Sequence, residues 1–132
     1  MPWVEIFAVF VVSHLVGDFL LQTNVQAIHK RGGLGSGDGS FRSLLLHTVT
    51  YTLAFVPALI WLGGYIGALD AIAIGLLIGL PHMIQDDGRL LDAYMRGVKG
   101  VEPEPGGFLL VAVDQAWHFV ALFLIALLAS SL

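Results

Sequence analysis

The chain has 132 residues, 57% of them hydrophobic and 12% charged, with a mean hydropathy of +0.84 and a formal net charge of −4. Such a composition is far too apolar for an ordinary soluble domain and describes one small integral membrane protein. With no cysteine in the chain, disulfides, iron–sulfur ligation and thiolate zinc sites are excluded, so any metal must be held by nitrogen and oxygen.

A helix needs about 20 apolar residues to cross a bilayer, and four segments approach that length: roughly 3–23, 41–63, 67–87 and 107–130. The first lacks a basic leader and a small-residue cleavage site, so it reads as a retained span rather than a removable signal. "KRGGLGSGDGS" follows. It lacks the spacing of a phosphate-binding glycine loop and reads as a flexible linker. The second and third spans are separated only by Gly63, Gly64, Tyr65 and Ile66, a tight hairpin. Pro81 within the third span predicts a kink that opens space beside His82. After it, Leu90, Leu91, Tyr94, Met95 and Val98 recur at helical spacing opposite Arg89, Asp92, Arg96 and Lys99. This pattern describes an amphipathic anchor on the inner interface. "VEPEPGG" breaks that helix and leads into the fourth span.

The expected fold is therefore all-α: a single-domain four-helix transmembrane bundle with one amphipathic interfacial helix. Every Lys and Arg (Lys30, Arg31, Arg42, Arg89, Arg96, Lys99) falls in or beside the first and third connections. By the positive-inside rule those loops are cytoplasmic and both termini lie outside, with Trp3, Trp61 and Tyr65 at the outer interface.

Against this apolar background stand "HLVGD", "LLLHTVTY", "PHMIQD" and "DQAWH", one in each span. Residues four apart share a helix face, so His14/Asp18, His82/Asp86 and Asp114/His118 form stacked pairs. The motif is inverted in span four, which runs in the opposite sense to spans one and three. His is thus the deeper member of every pair. At about 1.5 Å rise per residue, all six lie roughly 5–16 Å from the inner helix ends, and His47 falls in the same band. A lone intramembrane His or Asp is often only a helix–helix hydrogen bond, but a set matched in depth points to a shared site.

Imidazoles and carboxylates in a bundle suit a divalent metal, zinc first, with iron or manganese as alternatives. The expected ligands are His14, Asp18, His47, His82, Asp86, Asp114 and His118. Seven groups imply either two ions or one ion with some carboxylates orienting imidazoles. Asp18, Asp86, Asp114 and Tyr51 are the catalytic candidates, with Gln22, Ser43 and Gln115 in support. His29, Asp87, Asp92, Glu102 and Glu104 read as solvated residues of the cytoplasmic face.

Together "HLVGDFLLQT", "LLLHTVTYTL", the third-span "H-x-x-x-D" with its following Arg, and "VDQAWH" resemble the small phage and bacterial membrane family termed domain of unknown function 3307. The likeness runs in order over nearly the whole chain. It implies family positions at His14, Asp18, Gln22, His47, His82, Asp86, Asp114 and His118. The family's "D-x-x-R" would correspond to Asp86 and Arg89, although "DDG" interrupts it here. The resemblance supports the topology and the site and supplies no substrate.

The leading expectation is an intramembrane metal-dependent hydrolase open to the cytoplasmic leaflet and acting on a lipid-type substrate. Two alternatives are a transporter of protons or divalent metal and a structural protein with a hydrogen-bonded His/Asp core. The nearly apolar outer half of each span argues against a conduction path. Membrane lipids are the expected surroundings and nucleic acid is not an expected partner. The oligomeric state is left open, a homo-oligomer included.

Overall fold

A computed structural model describes residues 1–132, and every regular element in it is helical. Helix α1 (Trp3–Leu15) passes without a break into a π-helical stretch, Val16–Leu21. Helix α2 (Asn24–His29) is short and starts in a reciprocal cap: Thr23 Oγ1 accepts the Gln26 N–H, and Gln26 Oε1 accepts the Thr23 N–H. Helix α3 (Gly39–Ala54) begins at Asp38, whose side chain accepts the Ser40 N–H. That bond holds the Asp38 carboxyl below its ordinary range.

Helix α4 (Val56–Ile66) departs from α3 at 52°. Pro57, in the first turn of α4, has no N–H to give the Leu53 carbonyl, so one helix ends as the other begins. Helix α5 (Ala68–Asp87) carries Pro81 inside it without a break, and the break between two helices falls in the second apolar segment. Helix α6 (Arg89–Tyr94) continues as a π-helical stretch, Met95–Lys99, and α7 (Phe108–Ser130) completes the chain.

Three helical runs are long and apolar enough to cross a membrane: Trp3–Leu21, Ala68–Asp87 and Phe108–Ser130. The bent pair of α3 and α4 makes a fourth when counted as one span. Helix α1 packs on α7, α7 on α5, α5 on α3, and α3 on the π-helical end of the first run, which closes a four-membered ring. Inside it Ile6, Phe10, Phe55, Leu62, Ile74, Ile78, Leu122 and Ala126 form one buried core.

The connections differ from expectation in three places. The predicted hairpin at Gly63–Ile66 is helical, and the turn is made by Gly67 alone at φ 94°, ψ 157°. Such backbone is essentially restricted to glycine, so Gly67→Ala is expected to cost about 1–3 kcal/mol. A lowered melting temperature in detergent would show it; an unchanged one would mean that the turn adapts. The glycine-rich linker is anchored to the end of α5: Gly32 N–H bonds the Asp87 carbonyl at 2.7 Å, and Leu34 N–H bonds Asp87 Oδ1 at 2.8 Å. Asp87 is therefore buried rather than solvated, because it satisfies backbone donors that the loop would otherwise leave unpaired. The amphipathic segment after α5 lays Leu91 and Met95 against Leu110 of α7, while Leu90 and Val98 remain outward.

Candidate metal centre

Six of the seven expected ligands, all but the half-buried Asp114, are buried at one level of the bundle. His47 comes from the middle of α3, and His82 and Asp86 come from the last two turns of α5. Asp18 reaches them from the π-helical stretch, where wider winding changes the angle at which side chains leave the axis.

Four groups close on one point: Asp18, His47, His82 and Asp86 each offer a ligand atom within 4.8 Å of the others. His47 Nε2 lies 3.1 Å from His82 Nε2, 3.2 Å from Asp18 Oδ1 and 2.8 Å from Asp86 Oδ2. His82 Nε2 lies 3.6 Å from Asp18 Oδ1 and 3.1 Å from Asp86 Oδ2. Zinc bonds of about 2.0–2.2 Å give a tetrahedral site edges of roughly 3.3–3.6 Å, which the separations approach.

A second group shares Asp86 and adds Asp114 and His118. His118 Nδ1 donates to the Asp114 carbonyl at 2.8 Å. In the neutral ring this leaves Nε2 a bare acceptor, 3.4 Å from Asp86 Oδ1. Asp18 Oδ1 and His118 Nε2 are both buried without a hydrogen-bond partner, and a cation satisfies such atoms where another acceptor does not.

His14 stands outside both groups because its ring nitrogens are engaged. Its Nε2 contacts Gln115 Oε1 at 2.9 Å, and its Nδ1 faces the Tyr51 hydroxyl at 3.0 Å. Gln115 in turn donates to Asp114 Oδ2 at 3.4 Å. The result is a relay in which Tyr51 O–H donates to His14, His14 to Gln115, and Gln115 to Asp114. Tyr51 also lies flat on His82, with ring centroids 3.4 Å apart and an interplanar angle of 1°. His82 Nδ1 has no partner, so stacking takes the place of the hydrogen bond that usually orients a ligating imidazole.

Gln22 Oε1 accepts from Lys30 Nζ at 2.6 Å. Ser43 is not drawn into the cluster and lines a surface cleft with His29, Asp38 and Ser40. Lys30, expected only as a marker of orientation, joins the cluster: its ammonium also donates to Asp86 Oδ2 at 2.6 Å, with its side chain only 13% exposed. With the carboxylates ionised and the imidazoles neutral, Asp18, Asp86 and Asp114 against Lys30 leave two negative charges in the cluster. One divalent cation cancels them and removes the cost of uncompensated buried charge.

Fold and cluster together define the class: a small helical bundle that gathers histidines and aspartates from its separate helices at one buried level. The chain belongs to the family described as Protein of unknown function (DUF3307), whose family model matches residues 6–132 and so contains every residue of both groups. No curated protein and no solved structure matches the chain.

Proposed function

We propose that this chain is an integral membrane protein that holds a divalent metal, zinc first, on Asp18, His47, His82 and Asp86, and uses it to hydrolyse a lipid-type substrate. Asp86, Asp114 and His118 would hold a second ion. The observation that carries the metal is the convergence of four buried ligand atoms at spacings near those of a tetrahedral site. Membrane embedding is supported by the apolar helices and by outward residues such as Leu20, Leu53, Ile60, Leu69, Leu80 and Leu124. The placement of basic residues supports cytoplasmic first and third loops.

A bound divalent metal would supply Lewis acidity and lower the pKa of a coordinated water toward about 7. The protein's own part is to hold and move protons around it. Asp114, with a side chain 26% exposed, lines the same cavity as Asp86 and is the carboxylate placed to accept a proton from water. The relay through Gln115 and His14 fixes its orientation. The core around Phe10, Phe55, Ile78 and Leu122 lies beyond the cluster, which favours a blind pocket over a conduction path.

Elemental mass spectrometry on untagged protein in detergent tests the metal. One or two ions per chain are expected, retained in His14→Ala, with the ion on Asp18, His47, His82 and Asp86 lost in His47→Ala/His82→Ala. Folded wild type without metal, or full metal in the double variant, would overturn the assignment.

A further inference from the structure

We propose that the cavity beside Asp86 and Asp114 seats a phosphate group carried on an apolar chain, with Lys30 and Arg31 as its cationic contacts. This deepens the metal-centre reading and rests on it. The cavity measures about 440 Å³, against about 30 Å³ for a water molecule, so it has room for much more than a reacting water. Its polar wall includes Lys30, Arg31, Gln85, Asp86 and Asp114, and its apolar wall includes Ile28, Leu110 and Val111. Ile28 and Val111 are also open to the exterior, which leaves a route for an alkyl chain between the cavity and the surrounding membrane.

The cations are placed by the fold. The short helix α2 turns the chain back so that Lys30 meets Asp86 at 2.6 Å. Arg31 pairs with Asp92 and lies across Gly88, where a Cβ would come within 2.8 Å of the Arg31 Cζ. Lys30 holds the same Asp86 oxygen that His47 and His82 face. An ion seated there repels the ammonium, which then needs another anionic partner at the cavity wall. A phosphate meets both demands: one oxygen can face the metal while others accept from the ammonium and the guanidinium fork. A carboxylate has only two oxygens to share among three cations.

The test uses the zinc-loaded full-length protein in a nonionic detergent, with calorimetric titration of dodecyl phosphate, inorganic phosphate and dodecyltrimethylammonium, and zinc content measured on each sample. Dodecyl phosphate is expected to bind at least tenfold more tightly than inorganic phosphate, and dodecyltrimethylammonium not to bind. Lys30→Gln and Arg31→Gln should each weaken dodecyl phosphate tenfold or more, and Lys30→Arg should restore most of the affinity. Equal affinity for inorganic and dodecyl phosphate would reassign the cavity to a free phosphate and overturn the alkyl-chain half. Unchanged binding in both Gln variants, or no dodecyl phosphate binding by protein that holds zinc, would overturn the whole. A wild type without zinc would defeat the metal centre separately, and its own phosphate titration would then judge the cavity alone.

Discussion

Asp86→Asn is expected to leave the protein without metal at either position. Both groups use this carboxylate: Oδ2 faces His47 and His82, while Oδ1 faces His118. The amide keeps the shape but removes the charge and puts an N–H₂ where one of those oxygens met an imidazole or Lys30. Loss of residues that merely support metal ligands lowers affinity about 10–100-fold, so loss of the shared ligand should exceed that. Lys30 is then left without its buried partner, a change worth roughly 3–5 kcal/mol where only one member of a buried pair is removed. Asp87→Asn is the matched control, because Asp87 binds the first loop rather than the cluster. It should weaken the ion pair with Arg89, leave the main-chain bond to Gly32 in place and keep the metal. Metal content and thermal melts of both variants decide the matter, and a folded, fully loaded Asp86→Asn protein would sink the shared-ligand geometry.

Gly17→Ala should be nearly as damaging without touching a ligand. A Cβ at Gly17 would lie 2.7 Å from Tyr51 Cδ2 and 3.3 Å from Tyr51 Cα, so turning the tyrosine ring gives incomplete relief and the helices must part. Overpacking of this kind costs about 1–3 kcal/mol. It also lifts Tyr51 off His82, and zinc affinity should fall about 10–100-fold, as for the loss of a residue that orients a ligand. Tyr51→Phe gives the contrast, since it keeps the stacked ring and loses only the contact with His14. Competition titration with a chelator measures both variants. If Gly17→Ala matched the wild type in melting and in zinc affinity, stacking would not be what orients His82.

The clustered histidines and aspartates were legible because ionisable residues are costly in an apolar helix, and the four-residue spacing of the pairs, inverted in one span, pointed to one shared level. What was not legible depended on contacts distant in sequence. Whether His14 keeps a free nitrogen is decided by Gln115, 101 residues away, and by Tyr51. Lys30 looked like an orientation signal because its partner Asp86 is 56 residues distant. One signal is readable in the sequence: Thr23 and Gln26 have the spacing of a capping box, which predicts the short helix that follows the first span. The prolines show a different limit. Pro81 is carried inside a helix, whereas Pro57 stands in the first turn of a new one. The π-helical winding around Asp18 had no sequence signature at all.

Asp86 and Asp87 are adjacent, yet one faces the cluster and the other the loop, and between them they stitch down the chain from Lys30 to Leu34. This makes the first connection a gauge of fixed length followed by slack. One residue inserted between 30 and 34 adds up to about 3.6 Å of contour, more than the 2.6 Å ammonium contact can absorb. Gly35 and Gly37 have open space where a side chain would stand, so growth of the loop there leaves the carboxylates untouched. As such chains diverge, length variation in this loop belongs after Leu34 and not before it.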